Sequence, residues 1–213
     1  MRIGIDFDNT IICYERVFRH LALQQNLIAA DFTGNKTALR DAIRATHGDI
    51  KWQHLQGKAY GVEINHAEIF AGFKEFIAAC NTDPNIELFI VSHKTEFGHF
   101  DETRTSLRQA AREWLRQQTL FDGQAPYIKE QNLFFEMTIE KKIARIAALN
   151  CTHFIDDLVE VLHSPLFPAH TQKILFQPTC DHQESHQDSY SNWKDIQHAI
   201  LGRAKIITAM RTY

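Results

Sequence analysis

The chain has 213 residues, 44% hydrophobic and 23% charged, enough for one well-buried core and a small appended domain. A formal net charge of -3 and a pI near 6.4 exclude general attraction to nucleic acid or anionic lipid, so an anionic ligand needs a local site. No window approaches the roughly 18 apolar residues of a membrane span, and with no charged-then-apolar stretch among its first residues the protein is expected to stay where it is made. Four cysteines, Cys13, Cys80, Cys151 and Cys180, lack C-x-x-C spacing, so a reducing cytoplasm is expected rather than a disulfide framework or zinc ribbon.

Short apolar runs separated by long helical patterns predict an α/β protein with a mostly parallel sheet flanked by helices. The first strand is expected over residues 2–7, within "RIGIDFDNTI". Residues 15–65 break the strand–helix alternation: "RVFRHLALQQNL" and "KTALRDAIRATHG" carry helical patterns, and "DIKWQHLQGKAYGVEI" reads as irregular. The expected organisation is therefore a core of 1–14 and 66–213 with a small helical insert of 15–65, whose functional reading is a lid. Beyond it come a helix over 67–79, a strand over 87–91, and helices over 105–118 and 138–149. Strands at about 152–155 and 173–176 and a helix over 192–201 follow. Thr138 and Ser191 are the expected caps of the last two helices.

Asp6 and Asp8 stand two residues apart where the first strand ends, so both carboxylates share a side. In open parallel sheets, ligands bind beyond the carboxyl ends of strands. Two neighbouring carboxylates repel, and a hard divalent cation with oxygen ligands is the simplest compensation, magnesium suiting a site left open for phosphate. The pattern returns in "THFIDDLVEVL", where an apolar run ends in Asp156 and Asp157. Between the two pairs, "ELFIVSHKT" ends a strand in Ser92, and "TIEKKIARI" starts a helix near Lys141 and Lys142. At roughly 100° per residue, Lys142 lies nearer than Lys141 to the stripe of Ile139, Ile143 and Ile146, which favours Lys142 as the inward lysine.

Asp-Phe-Asp-Asn-Thr, strand-terminal Ser92, a helix-borne lysine and Asp156-Asp157, in that order, resemble the four motifs of the haloacid dehalogenase-like (HAD) hydrolase superfamily. The resemblance spans about residues 3–160. It implies a Rossmann-like core, a magnesium cofactor, phosphoryl transfer through an aspartyl-phosphate, and a helical cap inserted after the first motif. It assigns Asp6 as nucleophile and Asp8 as general acid and base. Magnesium would be held by the Asp6 carboxylate, the Asp8 carbonyl and Asp156, with Asp157 acting through water or orienting a ligand. Ser92 and Lys142 would donate to phosphoryl oxygens, and Thr10 would support the loop and the phosphate. The implied activity is a magnesium-dependent phosphohydrolase acting on a small phosphorylated metabolite: a sugar phosphate, a nucleotide or a similar monoester. A phosphomutase and a non-catalytic phosphate-binding protein remain alternatives. Asp8 argues against true dehalogenation, which has no leaving oxygen to protonate.

Other polar groups are weaker candidates. Cys180, His182 and His186 cluster in a stretch that reads as a polar loop rather than a zinc site. His93, Lys94, His99 and Arg104 lie in the loop after Ser92, while Trp52, His54 and Lys58 lie in the insert, and Tyr14 and Arg16 at its entrance. No exposed apolar stripe separates from the core pattern, so the sequence does not indicate an oligomeric state.

Overall fold

A computed structural model describes residues 1–99, 104–178 and 189–202. In chain order the elements are β1 (Arg2–Ile5), β2 (Ile12–Cys13), α1 (Glu15–Gln24), α2 (Lys36–His47), α3 (Asp49–Tyr60) and β3 (Glu68–Ile69). Next come α4 (Phe73–Asn81), β4 (Glu87–His93), α5 (Leu107–Gln117), β5 (Leu133–Glu136) and α6 (Ile139–Ala148). The last are β6 (His153–Asp156), α7 (Val159–Leu162), β7 (Gln172–Phe176), β8 (Ser189–Tyr190) and α8 (Trp193–Gln197), the last continued by a π-helical turn, His198–Gly202. Strands β2 and β3 form a separate two-stranded ribbon. No described helix is long and apolar enough to cross a membrane.

The chain divides into two compact units. The first, Met1–Ile11, Ile69–His93 and Leu120–Tyr213, holds a six-stranded sheet in the order β5-β4-β1-β6-β7-β8. Every pair in it is parallel, which puts all the strand C-terminal ends on one edge. Parallel sheets are covered on both faces, which is why the inner strands read as continuous apolar runs. Ile3, Ile5, Leu88, Phe89, Ile90, Val91, Phe154 and Ile155 are all buried. Gly4 lets β1 approach its neighbour closely: a Cβ there would stand 2.5 Å from the Phe154 ring. One face packs Phe89, Val91, Ile143, Ile146, Phe154 and Leu175 into a continuous cluster. Elsewhere in this unit Trp193 packs against Phe73, Phe76 and Phe176 at ring separations of 4.9 to 5.4 Å.

The second unit, Ile12–Glu68 with Lys94–Thr119, is helical. It extends the expected 15–65 insert, because α5, expected in the core, packs on α3 and on the short 3-10 turn Ile64–His66. Trp114 of α5 donates its indole N–H to the Ala67 carbonyl at 3.2 Å. The stretch read as irregular forms α3. Its buried residues, Trp52, Leu55, Gly57 and Ala59, do not line one stripe, so an amphipathic signature is missing although the helix is there. Trp52 stacks on Phe18 at 4.8 Å, a packing role rather than a recognition one. Gly48, at φ +83°, separates α2 from α3 in a backbone state that side chains resist.

Three further expectations change. Strand β5 was not anticipated, since its half-exposed edge position leaves a short apolar run without alternation. The expected 67–79 helix begins only at Phe73, after β3. The cap of α8 is Asn192, whose side chain accepts from the Asp195 N–H, and not Ser191. Thr138 caps α6 as expected, accepting from the Lys141 N–H.

Candidate active site

Because β1, β4 and β6 run parallel, Asp6, Ser92 and Asp156 come to the same edge of the sheet. Asp6 follows β1 directly, with its N–H bonded to the Ile155 carbonyl at 2.9 Å. The chain then turns through Asn9 in the left-handed region, at φ +59°, and Ile11 N–H closes the turn on the Phe7 carbonyl at 3.0 Å. Thr10 is fully buried, and its hydroxyl lies 3.5 Å from Asp157 Oδ1. Its carbonyl accepts the Trp193 indole N–H at 3.2 Å, so α8 also supports this loop. Sequence reasoning missed Trp193, and only its place beside the Asn192 cap could have marked it.

Lys142 supplies the organising charge. It sits in the first turn of α6 at 1% exposure, whereas Lys141 is exposed. Its Nζ donates to Asp6 Oδ1 at 2.6 Å and ion-pairs with Asp156 Oδ2 at 2.7 Å. Asp156 Oδ1 accepts the Leu158 N–H at 3.0 Å, which fixes the carboxylate at the end of β6. Asp6, Asp156 and Asp157 each offer a carboxylate oxygen within 4.8 Å of the others. The Asp8 side chain is half-buried and stands outside that trio. Ser92, 1% exposed at the end of β4, has a hydroxyl with no hydrogen-bond partner in the structure.

These groups perturb one another strongly. Burial pushes the Asp6 carboxyl from 3.8 up to about 7; Lys142 opposes the rise, while Asp156 and Asp8 add to it. Asp156 is raised for the same first reason, burial, against the pull of Lys142. For Lys142, burial favours the neutral amine, yet Asp156 and Asp6 outweigh it and hold the ammonium above its ordinary range. Clusters of shifted groups in one place are characteristic of reactive sites.

The donor set fits a divalent cation. Two carboxylates, Asp6 and Asp156, share one ammonium, Asp157 adds a third carboxylate oxygen within 4.8 Å of theirs, and all these ligand atoms are hard oxygens suited to magnesium. The orphaned Ser92 hydroxyl provides a buried donor at the same strand edge, where an oxyanion would satisfy it. Cys180, His182 and His186 lie outside the described residues.

No protein-family model matches the chain, and no curated protein matches it. Solved structures do. A HAD-hydrolase of Bacillus subtilis, YfnB, described as bound to magnesium, aligns over 93% of this chain and 97% of its own, with TM-score 0.57 and 13% identity. A subfamily IA HAD-superfamily hydrolase of Geobacter sulfurreducens aligns over 93% and 95%, with TM-score 0.54 and 10% identity. A HAD-superfamily hydrolase of Ehrlichia chaffeensis aligns over 94% and 96%, with TM-score 0.52 and 15% identity. At these identities the likeness concerns architecture, and it agrees with the sheet order and the site edge described above: the chain has the α/β fold of the HAD-superfamily hydrolases.

Proposed function

We propose that the chain is a magnesium-dependent phosphohydrolase that cleaves a small phosphomonoester through an aspartyl-phosphate on Asp6. One observation carries the reading: Lys142 ion-pairs with Asp6 and Asp156, which come from distant parts of the chain, and Asp157 offers a carboxylate oxygen within 4.8 Å of theirs, at a sheet edge that also holds an orphaned serine hydroxyl. In this mechanism the Asp6 carboxylate attacks phosphorus, and the ester oxygen leaves with a proton from Asp8. The Asp8 carboxylate then takes a proton from water, whose oxygen attacks the acyl phosphate and frees Asp6 and inorganic phosphate. Lys142 and Ser92 bind the phosphoryl oxygens, and Thr10 holds the loop that carries both aspartates. Asp6, Asp156 and the Asp8 carbonyl would hold the magnesium, with Asp157 orienting it, and the ion would offset charge on the transferring group.

The helical unit, inserted directly after Ile11, serves in this reading as a cap that excludes water and selects the substrate. Release of inorganic phosphate from an aryl phosphate and from a panel of phosphorylated metabolites tests the proposal. Release should require magnesium, stop with chelator, and vanish in Asp6→Asn. A chain inert toward every ester and metal would sink it, and phosphoryl transfer between two positions of a sugar phosphate without net release would favour the mutase alternative.

A further inference from the structure

Within the helical unit, a cleft of about 390 Å³ is lined by Gln25, His47, Ile50, Lys51, His54 and Lys58. Gln25 follows α1, His47 ends α2, and the other four belong to α3. Lys51, His54 and Lys58 are three and four residues apart, so they share one side of α3, and Trp52 and Leu55 of the same helix are buried beside them. Ile50, 58% exposed, adds an apolar side chain. Among the described residues no carboxylate lines the cleft. The acid nearest in sequence, Asp49, stands 2.6 Å from Arg44 Nε and accepts from Gln53 Nε2 at 2.5 Å. The ammonium groups of Lys51 and Lys58 and the His47 ring have no hydrogen bond or ion pair with any described residue.

This arrangement does nothing for the helix itself. Positions three and four residues from either lysine hold His47, Gly48, His54, Leu55, Gly61 and Val62, so an acidic neighbour is missing on every side. Lys51, in the first turn of α3, also opposes the helix dipole. A concave surface lined by one sign of charge and backed by apolar side chains focuses the field and concentrates counter-ions, here anions in a chain of net charge -3. Its volume suits a small molecule. Lys51 and Lys58 lie about 10 Å apart along the helix axis, so one molecule with two anionic groups meets both ammonium groups without drawing them together. Gln25, His47 and His54 offer further N–H donors to its oxygens. We propose that the cleft binds a small molecule bearing two or more phosphate-type anionic groups. The site does not depend on the phosphohydrolase reading, since none of its residues takes part in that mechanism.

The test follows the imidazole ring-proton NMR signals of His47 and His54 in the full chain, each assigned by its loss in His47→Gln or His54→Gln. Sodium pyrophosphate, inorganic phosphate and sodium chloride are titrated at matched ionic strength in chelator, so that metal-dependent turnover plays no part. Both signals should shift saturably with pyrophosphate, at a midpoint about tenfold lower than with inorganic phosphate, the value of one additional charge-assisted contact, and chloride should move neither. Lys51→Met and, separately, Lys58→Met should each raise the pyrophosphate midpoint about tenfold while keeping the wild-type melting temperature, because neither ammonium has a partner to lose. Signals that pyrophosphate leaves in place, that chloride moves equally, or whose midpoint is unchanged in both lysine variants overturn the site. Equal midpoints for pyrophosphate and inorganic phosphate overturn its preference for a multivalent anion.

Discussion

Replacing Lys142 by methionine tests the charge arrangement at its centre. Methionine nearly preserves the buried volume, so the main loss is the ammonium that stands 2.6 Å from Asp6 and 2.7 Å from Asp156. Three carboxylate oxygens within 4.8 Å of one another then have no counter-charge from this helix. At an effective dielectric of about 20, two unit charges at that separation repel by about 3 kcal/mol, and breaking a buried ion pair from one side costs about 3–5 kcal/mol. A loss of about 3 kcal/mol corresponds to a fall in melting temperature of about 6–12 °C for a chain of this size. The assay is thermal and urea unfolding of wild type and Lys142→Met in chelator, repeated with millimolar magnesium. The variant should be the less stable in chelator, and magnesium should recover much of the gap by replacing the missing charge. An equally stable variant in chelator, or a gap that magnesium leaves unchanged, would show that the carboxylates do not form one electrostatic unit.

The same cluster sets a pH dependence. Burial holds the folded Asp6 carboxyl at about 7 instead of 3.8, so its stabilising contribution is complete below the unfolded value and is lost as pH rises through about 7. Magnesium competes with that proton, and its gain in melting temperature should be larger near pH 8 than near pH 5.5; equal gains would contradict the assignment. Gly4→Ala puts a methyl group 2.5 Å from the Phe154 ring and 3.1 Å from Cys151 Sγ, and should destabilise by about 1–3 kcal/mol in urea unfolding. Trp193→Phe keeps most of the aromatic packing but removes the bond to the Thr10 carbonyl. It should cost about 1–2 kcal/mol, with a fall in phosphate release larger than Gly4→Ala produces, since Trp193, unlike Gly4, bonds directly to the loop of Asp6 and Asp8.

The inner strands could be read from the sequence because burial on both faces demands unbroken apolar runs, which "RIGI" and "ELFIV" supply. Edge strand β5 has one neighbour and three half-exposed residues, so its run "LFFE" is too short to separate from a turn. Helix α3 escaped for a different reason. Its contacts with α1, α2 and α5 bury residues on several sides, and periodicity detects only one-sided burial. The acidic pairs, Ser92 and Lys142 stood out because each ends or begins an element, and parallel topology makes such ends neighbours.

Lys142 also argues against a purely structural account of the cluster. A cation in the first turn of α6 opposes the helix dipole, and burial at 1% exposure removes its hydration. Asp6 and Asp156 compensate it, but burial disfavours both of their charges as well. Apolar residues of similar volume commonly replace buried ion groups with equal or better stability. A fold under selection for stability alone has no reason to gather one ammonium and three carboxylates beside a serine hydroxyl lacking a hydrogen-bond partner. In the proposed reading a cation would offset the negative charge and an oxyanion would satisfy the Ser92 hydroxyl. Both would be met at one strand edge if, as proposed, a metal ion and a phosphoryl group are brought to Asp6.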